Sequence, residues 1–370
     1  MSERPENTQQ PARSPFPAPT PNDTLESPIV DGRNVTLGVY APHASDVALR
    51  GDLVDGPPRG GFSRDEQGIW TMTLSDIVPG TYRYQFMVDG ATVPDPRNPL
   101  VSPTHSTIMS LVRVTAPETE FEDTQAVPHG ALAEVTYPSP LFGQRRMRVY
   151  TPPGYERDDR TYPVFYLLHG GGDCDASWGT VGRAGVILDN LIADGSAVPM
   201  IIVMPSGHVP GPRTAPGASP AMSADPSNDP FTTDLLEGVI PHIERTYRVE
   251  AVPEARALAG LSMGGVQAAN IGLVHSELFR YLGIFSSGWF PEVRAEFERI
   301  HGEALRTAAN RYALVWTAWG AVDIARPNSL AMLEMFDRHG LRYMSKETGG
   351  GHTWMNWRHY LRDLAPLLFR

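Results

Sequence analysis

From residue 134 to the end of the chain, apolar runs of strand length alternate with helical stretches. No other feature restricts the fold as much. The strand-like runs are "RMRVYTP", "YPVFYLLHG", "PMIIVMPSG", "RALAG", "YLGIFSSG" and "YALVWTAWG". Between them the pattern predicts helices over 181–194, 232–246, 264–275, 291–308 and 327–339, with a last one from about 354. Strands that are apolar on both sides must be buried on both faces, and alternation with helices supplies the covering layers. The expectation is one α/β domain over 134–370 with a mainly parallel central sheet.

The first third of the chain follows a different pattern. "VTLGVYAP", "DVALRG", "GIWTMTL" and "GTYRYQFMVDG" are short strands separated by Gly, Pro and Asp clusters. In the last of them Tyr82, Tyr84, Phe86 and Val88 fall on one face and Arg83, Gln85 and Met87 on the other, the period of a half-buried antiparallel strand. A small β-sandwich is expected over 27–114, with Trp70 and the tyrosines read as core. Residues 115–133 are acidic and aperiodic and read as a linker. Residues 1–26, rich in Pro, Ser, Gln and Asn, read as a disordered tail.

Composition removes several function classes. The formal net charge is -11, and without a basic stripe to neutralise phosphates a nucleic-acid partner is not expected. No window approaches the roughly 20 apolar residues of a membrane span, and the N-terminus lacks the apolar core of a secretory signal. The expected location is therefore cytoplasmic, with no membrane partner. Cys174 is the single cysteine, which rules out an internal disulfide and reads as a small buried residue. There is no H-E-x-x-H and no Cys/His cluster, so no metal or cofactor is implied. No repeat of fixed period is visible.

The chemistry is carried by "ALAGLSMGGVQAAN", which holds a G-x-S-x-G centred on Ser262. With 35 glycines in 370 residues, the pentapeptide would arise by chance on the order of 0.2 times per chain, so its context has to carry the argument. "RALAG" is strand-like and the residues after Ser262 are helix-compatible. Ser262 thus stands on a strand-to-helix turn, where side chains at 260 and 264 would collide with neighbouring backbone. The helix N-terminus that follows favours a developing negative charge.

A hydroxyl needs a histidine base, and the histidine needs a carboxylate that fixes its tautomer. Downstream of Ser262 lie His301, His339, His352 and His359. His352 stands in "ETGGGHTWMNW", after a strand and before the last helix, and is selected. The other three lie in or beside polar helical stretches and are read as surface residues. Asp323 follows the "YALVWTAWG" strand in a loop from which it can reach His352. It would also serve as a helix cap. Glu334 and Asp337 fall within an amphipathic helix and read as solvated.

A second backbone donor for the oxyanion is expected from "YLLHGGGDCDASW". The N–H groups of Gly171 and Met263 are assigned to it, with His169 ordering the loop. No G-K-[ST] follows these glycines, so they do not form a phosphate-binding loop. Gly172, Trp178, Trp289 and the long Pro-rich stretch 208–230 are expected to bound the substrate pocket, although each tryptophan would equally serve as core.

Two resemblances accompany these readings. "YAPHASDVAL", "GIW", "YRYQFMVDG" and "DPRNP" resemble the early-set, immunoglobulin-like domains (the glycogen-binding type) that precede glycogen-branching enzymes and some esterases. "RRMRVYTPPGY", "YPVFYLLHGGG", "PMIIVMPSGH", "DLLEGVIPHIERTYRV", "RALAGLSMGG", "GIFSSG" and "GGGHTWMNWRHYLRDLAPLLF" resemble the putative-esterase group of α/β-hydrolases, which includes esterase D and the feruloyl and acetyl-xylan esterases of carbohydrate esterase family 1. The second resemblance implies an α/β-hydrolase with Ser262, Asp323 and His352 as catalytic triad. It implies a small-molecule or oligosaccharide ester substrate of aryl (feruloyl-type) or acetylated-carbohydrate kind. Enterochelin-type siderophore esterases share the two-domain plan, and mycolyltransferases, which pass the acyl group to a sugar, share the fold. A glucan-binding module with a vestigial hydrolase is the reading from another class. The sequence sets no oligomeric state.

Overall fold

The computed structural model describes residues 19–54, 56–210 and 223–370. The chain first forms two facing antiparallel sheets. One contains β1 (Ile29–Asp31), β2 (Asn34–Tyr40), β4 (Ser63–Arg64) and β5 (Ile69–Leu74). The other contains β3 (Val47–Gly51), β6 (Gly80–Val88), β7 (Ala91–Val93), β8 (Val101–Pro103) and β9 (Ile108–Val114). Alternate residues Val35, Leu37 and Val39 of β2 meet Tyr84 and Phe86 of β6 and Val112 of β9 in one apolar core, as the period of two requires. Trp70 packs at its edge and donates its indole N–H to the Ala41 carbonyl at 3.0 Å.

The other face of β6 departs from expectation. Gln85 is almost fully buried, and its side-chain amide donates to the Thr107 hydroxyl at 2.9 Å and to the Ile108 carbonyl at 2.7 Å. Arg83 beside it reaches the second half of the chain. This face is turned toward the α/β unit, which is why the strand is not open to solvent on its polar side.

The second half is an eight-stranded sheet in the order β10-β11-β13-β12-β14-β15-β16-β17. Its strands are β10 (Ala131–Ser139), β11 (Gly143–Thr151), β12 (Val164–Leu168), β13 (Ile201–Pro205), β14 (Arg256–Leu261), β15 (Tyr281–Phe285), β16 (Leu314–Gly320) and β17 (Met344–Thr348). From β13 to β17 neighbouring strands are parallel, while β10 and β11 form an antiparallel hairpin at one edge. With its helices, this is the α/β-hydrolase architecture.

Central strand β12 shows why the apolar runs are continuous. Val164, Tyr166 and Leu168 join the core on one side of the sheet, and Phe165 and Leu167 join the core on the other. One side is covered by α4 (Met263–Val274), α5 (Pro291–Ala308) and α6 (Arg326–Arg338), the other by α1 (Ala184–Ala193) and α7 (Trp354–Leu364). The stretch read as one helix over 232–246 is interrupted. Asp234–Val239 is a π-helical segment between α2 (Pro230–Thr233) and α3 (Ile240–Thr246), with the Ile240 N–H bonded to the Leu235 carbonyl.

The segment read as a linker, 115–133, is packed onto the α/β unit. It contains a 3-10 turn, Pro117–Glu122, and its last residues already belong to β10. Glu122 is buried in an ion pair with Arg358 of α7, and the Asn190 side chain of α1 donates to the Phe121 and Asp123 carbonyls at 3.0 and 2.9 Å. Acidic composition suggested solvation, but the glutamate has a buried cationic partner. Of the expected tail, residues 1–18 lie outside the described residues.

The chain runs from β12 outward to β13 and then returns past β12 to β14. The order of strand addition therefore reverses between the parallel strands β12 and β14, and the loops after them open side by side at their carboxyl ends. Crevices of this kind are where α/β sheets place ligands.

Candidate active site

Ser262 occupies the turn between β14 and α4 with φ +52° and ψ -117°, a left-handed conformation that strains a residue with a side chain. Close packing maintains it. A β-carbon at Gly260 would overlap the Gly264 carbonyl group, and one at Gly264 would lie 2.5 Å from the His169 carbonyl oxygen. The Ser262 N–H donates to the Phe285 carbonyl at 2.9 Å, and the Ser287 hydroxyl donates to the Ser262 carbonyl at 2.7 Å. The turn is thus fixed by the last residue of β15 and by the loop just after it.

Ser262 Oγ lies 2.9 Å from His352 Nε2, and His352 Nδ1 lies 2.8 Å from Asp323 Oδ1. Asp323 has a fully buried side chain, whereas that of His352 is 22% exposed. Burial pushes the Asp323 carboxyl up, but hydrogen bonding from His352, from the Ser286 hydroxyl and from the Ala325 N–H outweighs it and holds the group below the usual carboxylate range. An ionised Asp323 only accepts, so the His352 proton resides on Nδ1 and Nε2 presents its lone pair to the serine. Asp323 also accepts from the Ala325 N–H at 2.8 Å, so the capping alternative and the contact to His352 coexist.

The loop after β12 faces the serine. A β-carbon at Gly170 would lie 3.5 Å from Ser262 Cβ, and one at Gly171 would lie 3.9 Å from Met263 Cβ. His169 is buried. Its Nε2 accepts from the Gly207 N–H at 2.9 Å, which leaves Nδ1 to donate to the Gly170 carbonyl at 2.8 Å. Burial lowers its pKa and keeps the ring neutral, so its role is to order the loop.

Above these groups lies a cleft of about 970 Å³ shared by the two halves of the chain. Ser262, His352, Gly171, Gly172 and Trp354 line it from the α/β unit, and Arg83, Gln85, Thr107 and Met109 from the sandwich. The sandwich wall was not anticipated. Its signal was the polar face of β6, whose destination periodicity alone does not reveal.

The expectations for two tryptophans and three histidines are corrected. Trp178 and Trp289 are fully buried and neither lines the cleft. The Trp178 indole N–H donates to the Leu168 carbonyl at 3.0 Å, with its ring edge-on to Trp354 at 5.0 Å. The Trp289 N–H donates to Asn270 Oδ1 at 2.7 Å, with its ring stacked on Phe297 at 4.6 Å. Each indole finds apolar neighbours and a polar partner in the core, which is where burial favours it. His301, His339 and His359 are not surface residues but are each partly buried, His339 bonding Glu298 at 3.0 Å and His359 packing on Phe121 at 4.7 Å. Of the Pro-rich stretch 208–230, residues 211–222 lie outside the described residues.

Trp357 and Ser286 were not singled out by sequence. The Trp357 indole N–H donates to Ser286 Oγ at 2.9 Å and its ring stands perpendicular to His352 at 5.0 Å. Ser286 has φ +47° and is fully buried, a backbone state with no mark in its local sequence. Among the described residues, no group of three or more His, Cys, Asp or Glu could hold a metal ion, and no helix is long and apolar enough to cross a membrane.

Comparison with known proteins gives a consistent picture. The profile of the family described as "Putative esterase" matches residues 140–367, and that of carbohydrate-binding module 48, the isoamylase N-terminal domain, matches residues 24–104. An endo-1,4-beta-xylanase/feruloyl esterase of Xylanibacter ruminicola is 30% identical over 98% of this chain and 49% of its own length. The chain spans about half or less of the length of the curated relatives it matches. A ferulic acid esterase of Anaeromyces mucronatus, solved with ferulic acid, aligns at TM-score 0.56 and 25% identity over 69% of this chain and 96% of its own. The enterobactin esterase of Shigella flexneri shares the fold over 91% of this chain and 94% of its own, with TM-score 0.64 and 18% identity.

Proposed function

Since the chain belongs to the putative-esterase family of carboxylic ester hydrolases, we propose that Ser262, His352 and Asp323 carry the reaction as nucleophile, general base and orienting carboxylate. The observation that carries this reading is the continuous relay from Ser262 Oγ to His352 Nε2 and from His352 Nδ1 to Asp323, at 2.9 and 2.8 Å.

In this mechanism the ester carbonyl rests over Ser262. Oγ attacks the carbonyl carbon while its proton passes to His352 Nε2, and the imidazolium is stabilised by the ionised Asp323. The carbonyl oxygen becomes an alkoxide and accepts from the Gly171 N–H, in the loop after β12, and from the Met263 N–H, at the start of α4. His352 returns the proton to the alcohol oxygen as the C–O bond breaks, leaving an acyl-Ser262 ester. Water, deprotonated by the same Nε2, then attacks the acyl carbon, and His352 passes that proton to Ser262 Oγ as the acyl–Oγ bond breaks and the acid leaves.

We propose an aromatic, feruloyl-type acyl group on a carbohydrate alcohol as the substrate. The Xylanibacter xylanase/feruloyl esterase and the Anaeromyces ferulic acid esterase, to which the chain is similar, support this choice. So does the mixed lining of the cleft, which offers Leu261, Met109 and Trp354 to an aryl ring and Gln85 and Thr107 to hydroxyls. The test is turnover of methyl ferulate, naphthyl acetate, acetylated xylo-oligosaccharide and a catechol trilactone by the wild type and by Ser262→Ala. Preference for methyl ferulate, abolished in the variant, is expected. Preference for the trilactone would move the assignment to siderophore cleavage.

A further inference from the structure

The loop that carries Gly171 has little rigidity of its own, because residues 170, 171 and 172 are all glycine. A β-carbon at Gly172 would meet nothing within 4 Å, and one at Gly171 would meet only Met263 Cβ. The loop therefore depends on what grips it. On its inner side His169 bonds Gly207 and the Gly170 carbonyl. On its outer side the grip comes from the sandwich, at two consecutive residues. The His105 N–H donates to the Gly172 carbonyl at 3.1 Å, and Arg83 Nη1 donates to Asp173 Oδ1 at 2.6 Å.

Arg83 is itself held in place. Its Nε donates to Asp52 Oδ2 at 3.0 Å, and its backbone N–H donates to the same oxygen at 3.1 Å. Its guanidinium lies over Trp354, 5.9 Å from the ring centroid, and Trp354 begins the helix directly after His352. The Arg83 side chain is 14% exposed and that of Asp173 7%, so water screens the pair weakly. Asp173 in turn donates its N–H to the Gly170 carbonyl at 3.1 Å, closing the turn that contains Gly171. One rigid fork thus touches both the loop beside Ser262 and the helix behind His352.

We infer that Arg83 is a positioning residue for ester hydrolysis: acting through Asp173, this residue of the β-sandwich fixes the Gly171 N–H at the place the oxyanion requires. The inference rests on the reading of Gly171 as an oxyanion donor. It makes the N-terminal domain a structural part of the catalytic site rather than an appendage. An ion pair that only fastened two domains would influence stability. A pair that aims a donor influences the transition state, since a donor displaced by about 1 Å costs on the order of 100-fold.

The test uses the full chain carrying Arg83→Met, Arg83→Lys, Asp173→Asn or Ser262→Ala, assayed with methyl ferulate. Arg83→Met is expected to lower kcat by roughly 10- to 100-fold with KM changed less than about twofold. Arg83→Lys, which keeps the charge but not the fork, is expected to fall between it and the wild type. An aryl boronic acid, which becomes tetrahedral on the serine, should bind Arg83→Met more weakly by about the factor lost in kcat, while ferulate binds equally. Asp173→Asn combined with Arg83→Met should add little to either single change.

Unchanged kcat in Arg83→Met overturns the inference, as does a rise in KM alone, which would make Arg83 a substrate contact. A kcat loss that disappears once activity is corrected for the folded fraction overturns it too. Retained activity in Ser262→Ala would instead defeat the parent assignment. An inactive Ser262→Ala beside an unimpaired Arg83→Met defeats this inference alone.

Discussion

Gly264, in the first turn of α4, and His169, in the loop after β12, pack tightly together: a β-carbon on Gly264 would lie 2.5 Å from the His169 carbonyl oxygen. The turn holding Ser262 and the loop holding Gly171 are therefore one packed unit. Gly264→Ala is expected to destabilise the fold by about 1–3 kcal/mol, because backbone must move to admit a methyl group. It should also lower kcat, since the movement separates Gly171 from Ser262. Chemical denaturation and methyl ferulate kinetics check both, and wild-type values in both would show that the two loops are not coupled.

Asp323 gives a prediction with a defined pH sign. Its folded-state pKa is held below the ordinary carboxylate value, so the ionised side chain stabilises the fold above that ordinary value. This contribution is lost as pH falls through the lowered pKa. Asp323→Asn should therefore be less stable than the wild type at pH 7, with the gap narrowing toward pH 3. At pH 7 its kcat should fall by about 10³–10⁴-fold, as the tautomer of His352 is no longer fixed. Urea unfolding at the two pH values tests the first part, and a gap that widens in acid would contradict it.

Trp178 tests the corrected view of the pocket. It is buried and donates to the Leu168 carbonyl, next to His169. Trp178→Phe leaves that carbonyl without its partner and should cost about 1–3 kcal/mol. KM for aryl esters should stay within about twofold of the wild type once folded fraction is accounted for. A large selective rise in KM would return Trp178 to the cleft wall.

Glu122 tests whether the segment before β10 is a tether or part of the fold. Its carboxylate pairs with Arg358, and both side chains are nearly inaccessible. Glu122→Gln leaves a buried guanidinium uncompensated and should destabilise the protein by about 3–5 kcal/mol. A flexible tether would tolerate the change, so an unaltered unfolding midpoint would contradict the packed arrangement.

How far these features were legible depends on the range of the signal. The helical stretch predicted over 291–308 is found over Pro291–Ala308, because an amphipathic stripe is a local property, but the kink at His301, whose φ of -112° and ψ of 18° are not helical, was not foreseen. Ser262, His352 and Asp323 were picked from chain order and loop position, and their side chains do meet. Partners set by tertiary packing were not legible. The alternation in β6 separated Tyr84 from Arg83 but did not tell that the Arg83 face would close on Asp173, 90 positions away. His339 looked solvated because Glu298, which bonds it, is distant in the chain. Trp178 and Trp289 lie in segments flanked by glycine and serine, so loop-like surroundings concealed their burial. The left-handed backbone of Ser286 and the π-helical turn at Asp234–Val239 are products of packing and leave no compositional trace.

The central claim is that Ser262, activated by His352, bears the acyl group. Intact-protein and peptide mass spectrometry after exposure to a fluorophosphonate tests it directly. A single adduct on the peptide containing Ser262, formed rapidly by the wild type and very slowly by His352→Ala, is the predicted result. An adduct on another residue, or equal labelling rates in the two proteins, would contradict the account.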